Sequence, residues 1–200
     1  MRYTYNTAFV KTVVFILSLS PLYEMIWFAL TGRFGDFPSW EIIGITGEAS
    51  LIFLLLTLSV TPARRILGWN NLIHIRRMLG LFAFFYAMIH FVIYIWREEH
   101  FSFHEFLLDI VRLPYITVGF IALILLIPLA FTARDSMMRK VGKNWKPIHR
   151  MVYAIAMLSI VHYVLVSIWS PLNALLYAFM LLLLLAYRFV YAKTPKDWML

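Results

Sequence analysis

The sequence predicts an all-α integral membrane protein, a bundle of six spanning helices, and three observations carry that prediction. Hydrophobic residues make up 62% of the chain and charged ones only 14%, with a mean hydropathy of +0.80. A soluble domain needs a wet surface and keeps its apolar fraction nearer one half. Six apolar segments follow one another, at 9–30, 42–60, 79–96, 115–133, 151–169 and 172–191, close to the roughly 20 residues that cross about 30 Å of hydrocarbon. No strand-like alternation competes with them, and in lipid a helix satisfies its own backbone. The chain, residues 1–200, reads as a single transmembrane domain with no internal repeat.

The first segment has features of a signal peptide: Arg2 and Lys11 stand near its start, and Ser18-Leu19-Ser20 is loosely like a cleavage site. Pro21 follows directly, however, and apolar character continues to Leu30. A retained helix is therefore expected.

Charge sets the expected orientation. The stretch 61–77 carries Arg64, Arg65, Arg76 and Arg77 and no acid. The stretch 134–150 carries Arg134, Arg139, Lys140, Lys143, Lys146 and Arg150 against Asp135 alone. The opposite side holds Arg33, Arg97 and Arg112 with acids that include Glu41, Glu105 and Asp109. Basic loops stay inside, so both termini and both basic stretches are expected in the cytoplasm. The net charge of +8 then reflects orientation and contact with anionic lipid rather than nucleic acid. Trp27, Trp40, Trp96, Trp145 and Trp169 fall near span ends, where indoles anchor at the interface.

The chain has no cysteine, which excludes disulfides, iron–sulfur clusters and thiolate zinc sites. Chemistry must come from the six histidines. His74 lies in a basic loop. His100 and His104 are four residues apart on an outer stretch, 101–113, that has the pattern of a short amphipathic helix; without a third ligand they read as a solvated face. His90 and His162 lie well inside apolar spans and His149 opens the fifth. An ionisable group at such depth is costly and marks function, although one histidine alone also reads as a hydrogen bond between helices.

Spacing sharpens this. His149 and His162 are thirteen residues apart, roughly 20 Å of helix that returns to within about 60° of the same face. Thirteen before His90 stands Arg77. The third and fifth spans run in the same direction, so His90 and His162 share one depth in the outer half, and Arg77 and His149 share another near the cytoplasm. Two neutral imidazoles at one depth suit axial ligation of a haem iron, and filling both positions favours electron transfer over oxygen binding. A zinc site wants three or four ligands. Gly80 and Gly119 are small enough to admit a macrocycle or a close helix contact. At the inner depth arginine stays protonated and ligates nothing, but suits a phosphate or propionate. The expected inner site is FMN or a quinone headgroup near His149, Arg76, Arg77, Lys143 and Trp145; a second haem on His149 is the competing view.

This pattern resembles the ferric reductase-like transmembrane family, which includes NADPH oxidases and metalloreductases with histidine pairs at this spacing. The carrying residues are Thr46-Gly47 and 58–62 (LSVTP), then 76–81 (RRMLGL) leading to His90, and 112–119 (RLPYITVG). Leu129-Ala130-Phe131-Thr132, 142–149 (GKNWKPIH), Val152-Tyr153 and His162-Tyr163 complete it. Within that family it is most similar to the haem-binding subunits of periplasmic methionine sulfoxide reductase systems. The resemblance covers nearly the whole chain. It implies haem b and FMN as cofactors, His90, His149 and His162 as haem-ligand candidates, and a bacterial inner-membrane location. It also implies electrons drawn from the quinone pool or a cytoplasmic flavin reductase and passed to a periplasmic molybdenum enzyme. Glu48 departs from the pattern, where a basic or neutral residue is expected; its place near the outer end of the second span suggests that it reaches the interface.

Two alternatives remain. One is a stand-alone ferric or superoxide-forming reductase, disfavoured because only a short basic tail follows Tyr191. The other is a transporter or structural subunit whose histidines merely pair helices. The sequence shows no soluble site for reducing methionine sulfoxide, so an electron-transfer rather than a catalytic subunit is expected.

Overall fold

The computed structural model describes residues 7–35, 38–97, 102–167 and 171–191, and all regular structure among them is helical. Six stretches are long and apolar enough to cross a membrane: Ala8–Thr31, Pro38–Leu67, Ile73–Trp96, Pro114–Phe131, Asp135–Val166 and Pro171–Val190. All six expected spans are present, but several helices outrun them.

The first span is two helices, α1 (Thr7–Ser18) and α2 (Ser20–Thr31), broken at Leu19. Pro21, at the start of α2, has no amide proton and its ring crowds the preceding turn. Tyr86, fully buried on a later helix, donates its hydroxyl to the Ser18 carbonyl at this break (2.7 Å). The segment that resembled a signal peptide is thus packed into the bundle.

The next two helices form the central antiparallel pair. α3 (Pro38–Leu67) and α4 (Ile73–Arg97) are joined by a short 3₁₀ turn at Asn70–Leu72. Gly68 ends α3 with φ +69°, the left-handed conformation that glycine adopts without strain. The basic stretch expected to be a loop is therefore mostly helix. Hydropathy stops where lipid stops, whereas a helix continues until its hydrogen bonds are interrupted. Ser50 on α3 donates to the Ala83 carbonyl on α4 (2.9 Å), and Phe53, Phe82 and Tyr86 stack between the pair.

The amphipathic stretch forms α5 (Phe103–Arg112), with Ser102 Oγ capping the Glu105 amide (3.3 Å). Its buried Phe106 meets Phe91 and Phe120. His100 lies outside the described residues, and His104 is exposed.

α6 (Pro114–Phe131) is followed by three helical pieces, α7 (Asp135–Val141), α8 (Trp145–Arg150) and α9 (Val152–Val166). Thr132 caps α6, donating to the Pro128 carbonyl (2.6 Å). The second basic stretch is thus also helical, turning at Gly142 with φ +56°. α9 packs along α6, and α10 (Pro171–Tyr191) lies against α9 and α3. The common core combines α3, α4 and α9, with Ala83, Tyr86 and Ala156 wholly enclosed. The outer faces of α2 and α10 expose Leu30, Leu172 and Phe189, the surface lipid would cover. Trp27, Trp40 and Trp96 are exposed as expected of interfacial anchors, while Trp169 lies outside the described residues.

Candidate functional site

The bundle encloses a cavity of about 320 Å³ between α3, α4, α6 and α9, with His90 and His162 in its wall. His90 projects from α4 and His162 from α9, and their ring centroids are 6.0 Å apart with planes at 88°. Each ring is fixed through the same nitrogen. His90 Nδ1 lies 2.9 Å from the Ile43 carbonyl and His162 Nδ1 2.7 Å from the Tyr115 carbonyl. A carbonyl only accepts, so Nδ1 carries the proton in both rings, and Nε2 keeps its lone pair for a metal.

Two glycines let the rings lie this way. A Cβ at Gly47 would stand 2.9 Å from His90 Nδ1, and one at Gly119 2.7 Å from His162 Nδ1. Both distances are too short for any side chain. Gly80, by contrast, has only ordinary contact with Thr57, so it opens no space for a ring.

The two halves of the site repeat each other. Each histidine bonds a carbonyl 47 residues earlier in the chain, and the glycine follows four residues after that carbonyl. The α3–α4 pair and the α6–α9 pair are thus two copies of one arrangement, which the sequence reading missed. The second copy lies 72 residues after the first, as His162 follows His90, and that shift places Arg77 of the first copy at His149 of the second.

The spacing of the two imidazoles would suit a metal ion held between them, as in a haem. Metal–imidazole bonds of about 2 Å and a ring radius of roughly 1 Å set two axial imidazole centroids about 6 Å apart. The wall is otherwise largely apolar, with Phe91, Phe106, Phe120 and Leu123 prominent. Among the described residues no His, Asp or Glu joins the pair to make a group of three.

Glu48 is engaged by another helix. The residue lines this cavity, and its carboxylate accepts a hydrogen bond from the Tyr177 hydroxyl of α10 (2.5 Å).

The basic end is arranged differently. His149 Nε2 lies 3.0 Å from Thr132 Oγ1. The threonine proton goes to the Pro128 carbonyl, so His149 donates through Nε2, the opposite tautomer to the other two rings. Trp145 stacks on His149 at 4.2 Å and donates to the Thr132 carbonyl (3.1 Å); it is half-buried rather than a free interfacial anchor. Arg77 is within electrostatic range of His149, but its guanidinium is ion-paired with Asp135 of α7. Lys143 is exposed on the turn before α8, and His74 is exposed on α4. Half-buried Arg76 instead keeps company with Arg64, Arg188 and the Tyr153 phenol. Arg188 stands 4.9 Å over the Tyr153 ring. Helices far apart in sequence bring these last residues together, so spacing alone held no signal for them.

Six spanning helices around paired, tautomer-matched imidazoles define a membrane redox scaffold. Residues 43–160 match the ferric reductase like transmembrane component model, and the chain belongs to that family. Among curated relatives, a protein-methionine-sulfoxide reductase heme-binding subunit MsrQ of Herminiimonas arsenicoxydans is 48% identical over 77% of this chain and 71% of its own length. Proteins of the same name from Ralstonia nicotianae and Rhodospirillum rubrum are 41% and 43% identical, over 77% and 78% of this chain and 71% and 75% of their own lengths. The chain is accordingly a membrane subunit for electron transfer.

Proposed function

We propose that the chain carries electrons across the bacterial inner membrane through a haem b held by Nε2 of His90 and Nε2 of His162, and delivers them to a periplasmic methionine sulfoxide reductase. The observation that carries this is the matched pair of rings: 6.0 Å between centroids with both Nδ1 atoms tied to carbonyls. Bound there, a haem supplies one-electron chemistry at its iron. The protein's residues do the rest. The Ile43 and Tyr115 carbonyls hold the rings in one tautomer and raise their basicity. Gly47 and Gly119 set their depth, and the aromatic wall excludes water.

The acceptor we propose is the molybdenum-containing catalytic subunit whose activity the relatives' name describes. The basic end faces the cytoplasm in this reading, so both termini lie there and α5 faces the acceptor. The donor is the quinone pool or a cytoplasmic flavin reductase, with FMN or a quinone headgroup at the inner site. His149 and Trp145 would meet its ring, and Arg76, with Arg77 and Lys143 at the margin, its charge. The whole chain acts as one domain.

Purified protein tests the ligand assignment. His90→Ala and His162→Ala are expected to abolish low-spin haem absorbance, while His149→Ala spares it and lowers flavin content or quinol-driven reduction. Unchanged haem in both outer variants would sink the assignment.

A further inference from the structure

The cavity beside His90 and His162 has a single acidic or basic residue among its described lining residues, Glu48. No lysine or arginine is among those described residues. Glu48 is half-buried in the first half of the Pro38–Leu67 span, on the helical turn that carries Gly47, whose missing side chain admits His90. Tyr177 donates to it at 2.5 Å. The Tyr177 ring in turn meets Tyr163 edge to face at 5.5 Å, and Tyr163 directly follows His162. A carboxylate here is costly unless something of opposite charge repays it, and a single tyrosine hydroxyl does not cancel a charge.

We infer that Glu48 is the counter-charge of the haem, a carboxylate beside the same cavity that tunes the haem's potential. The inference rests on the haem assignment above. An oxidised iron in a porphyrin dianion with two neutral imidazoles carries one positive charge at its core; gaining one electron removes it. A fixed carboxylate in a poorly screened cavity attracts the first state and gains nothing from the second. It therefore favours the oxidised form and lowers the potential, making the reduced form a stronger donor to the acceptor subunit. Tyr177 positions the carboxylate through its hydroxyl. Neither residue ligates iron.

A merely structural Glu48–Tyr177 bond between α3 and α10 would leave the potential alone, which makes the potential the decisive readout. The test is a reductive titration of the haem-loaded full chain in detergent, followed by haem absorbance. Glu48→Gln removes the charge but keeps an acceptor for Tyr177. It is expected to favour the reduced form at least tenfold, a positive shift of about 59 mV or more for one electron. Glu48→Asp, which keeps the charge, is expected to shift by less than that. Should the glutamine variant fail to assemble, Glu48→Leu with Tyr177→Phe removes both polar partners together and leaves neither unsatisfied; the same positive shift is expected. A haem-containing neutral variant whose equilibrium moves less than tenfold overturns this inference alone. Wild-type protein without haem overturns the haem assignment as well.

Discussion

Nδ1 of His162 lies where a methyl group on residue 119 would have to be, and that fact governs the site at the scale of single residues. A Cβ there would approach to 2.7 Å, and overpacking of this kind costs about 1–3 kcal/mol when a core cannot give way. Backbone bonds hold this ring, so the ring must either leave the Tyr115 carbonyl or push α6 from α9. Gly119→Ala is therefore expected to lower haem retention tenfold or more, measured as the haem-to-protein ratio after purification. Gly80→Ala, facing only Thr57 at 3.7 Å, is expected to retain it. The sequence made both glycines visible as small residues in spans. It held no sign of which one faces a histidine, because that depends on the partner helix. Glu48 shows the same limit: its oddity was legible, its partner was not.

Among the elements, the break between α1 and α2 shows how a local rule and a distant residue cooperate. Pro21 interrupts the backbone ladder, and Tyr86 on α4 supplies a donor to the Ser18 carbonyl. Hydrogen bonds between membrane helices contribute about 0.6 kcal/mol on average and up to about 1.7. Tyr86→Phe is expected to destabilise the protein by about 1 kcal/mol, seen as a lower thermal midpoint in detergent, with the haem spectrum unchanged. A loss of haem in that variant would show instead that the first span supports the site. Helix ends were the least legible feature of the elements. The basic residues of α3, α7 and α8 are polar enough to end a hydropathy segment, yet arginine and lysine are good helix formers. The turn at Gly142 and the stop at Gly68 depend on backbone conformation that hydropathy does not record.

At the scale of the whole molecule, the arrangement is two antiparallel helix pairs, each placing one histidine on one carbonyl beside one glycine. The first copy carries Arg77 where the second carries His149, so the basic end is built unlike the other. Arg77 is spent on an exposed ion pair with Asp135, which contributes little to stability. The proposed orientation has its own test, helped by a chain without cysteine. Lys140→Cys and Leu107→Cys place single thiols at exposed positions on the basic stretch and on α5. A membrane-impermeant maleimide applied to spheroplasts is expected to label position 107 and not 140. The opposite pattern would reverse the direction of electron delivery.

Composition and spacing by themselves determined the six spans, the expected orientation and the pairing of His90 with His162. These depend on periodicity and hydrophobic length, both local properties of a chain in lipid. Tertiary structure alone decided which nitrogen of each imidazole is free, why Gly47 and Gly119 carry no side chain, and which helix engages Glu48. It also set Arg64, Arg188 and Tyr153 around Arg76, in addition to the stack of Trp145 on His149. The reason is the same in each case: a hydrogen bond or a close contact between helices has two ends, and a linear pattern shows only one of them.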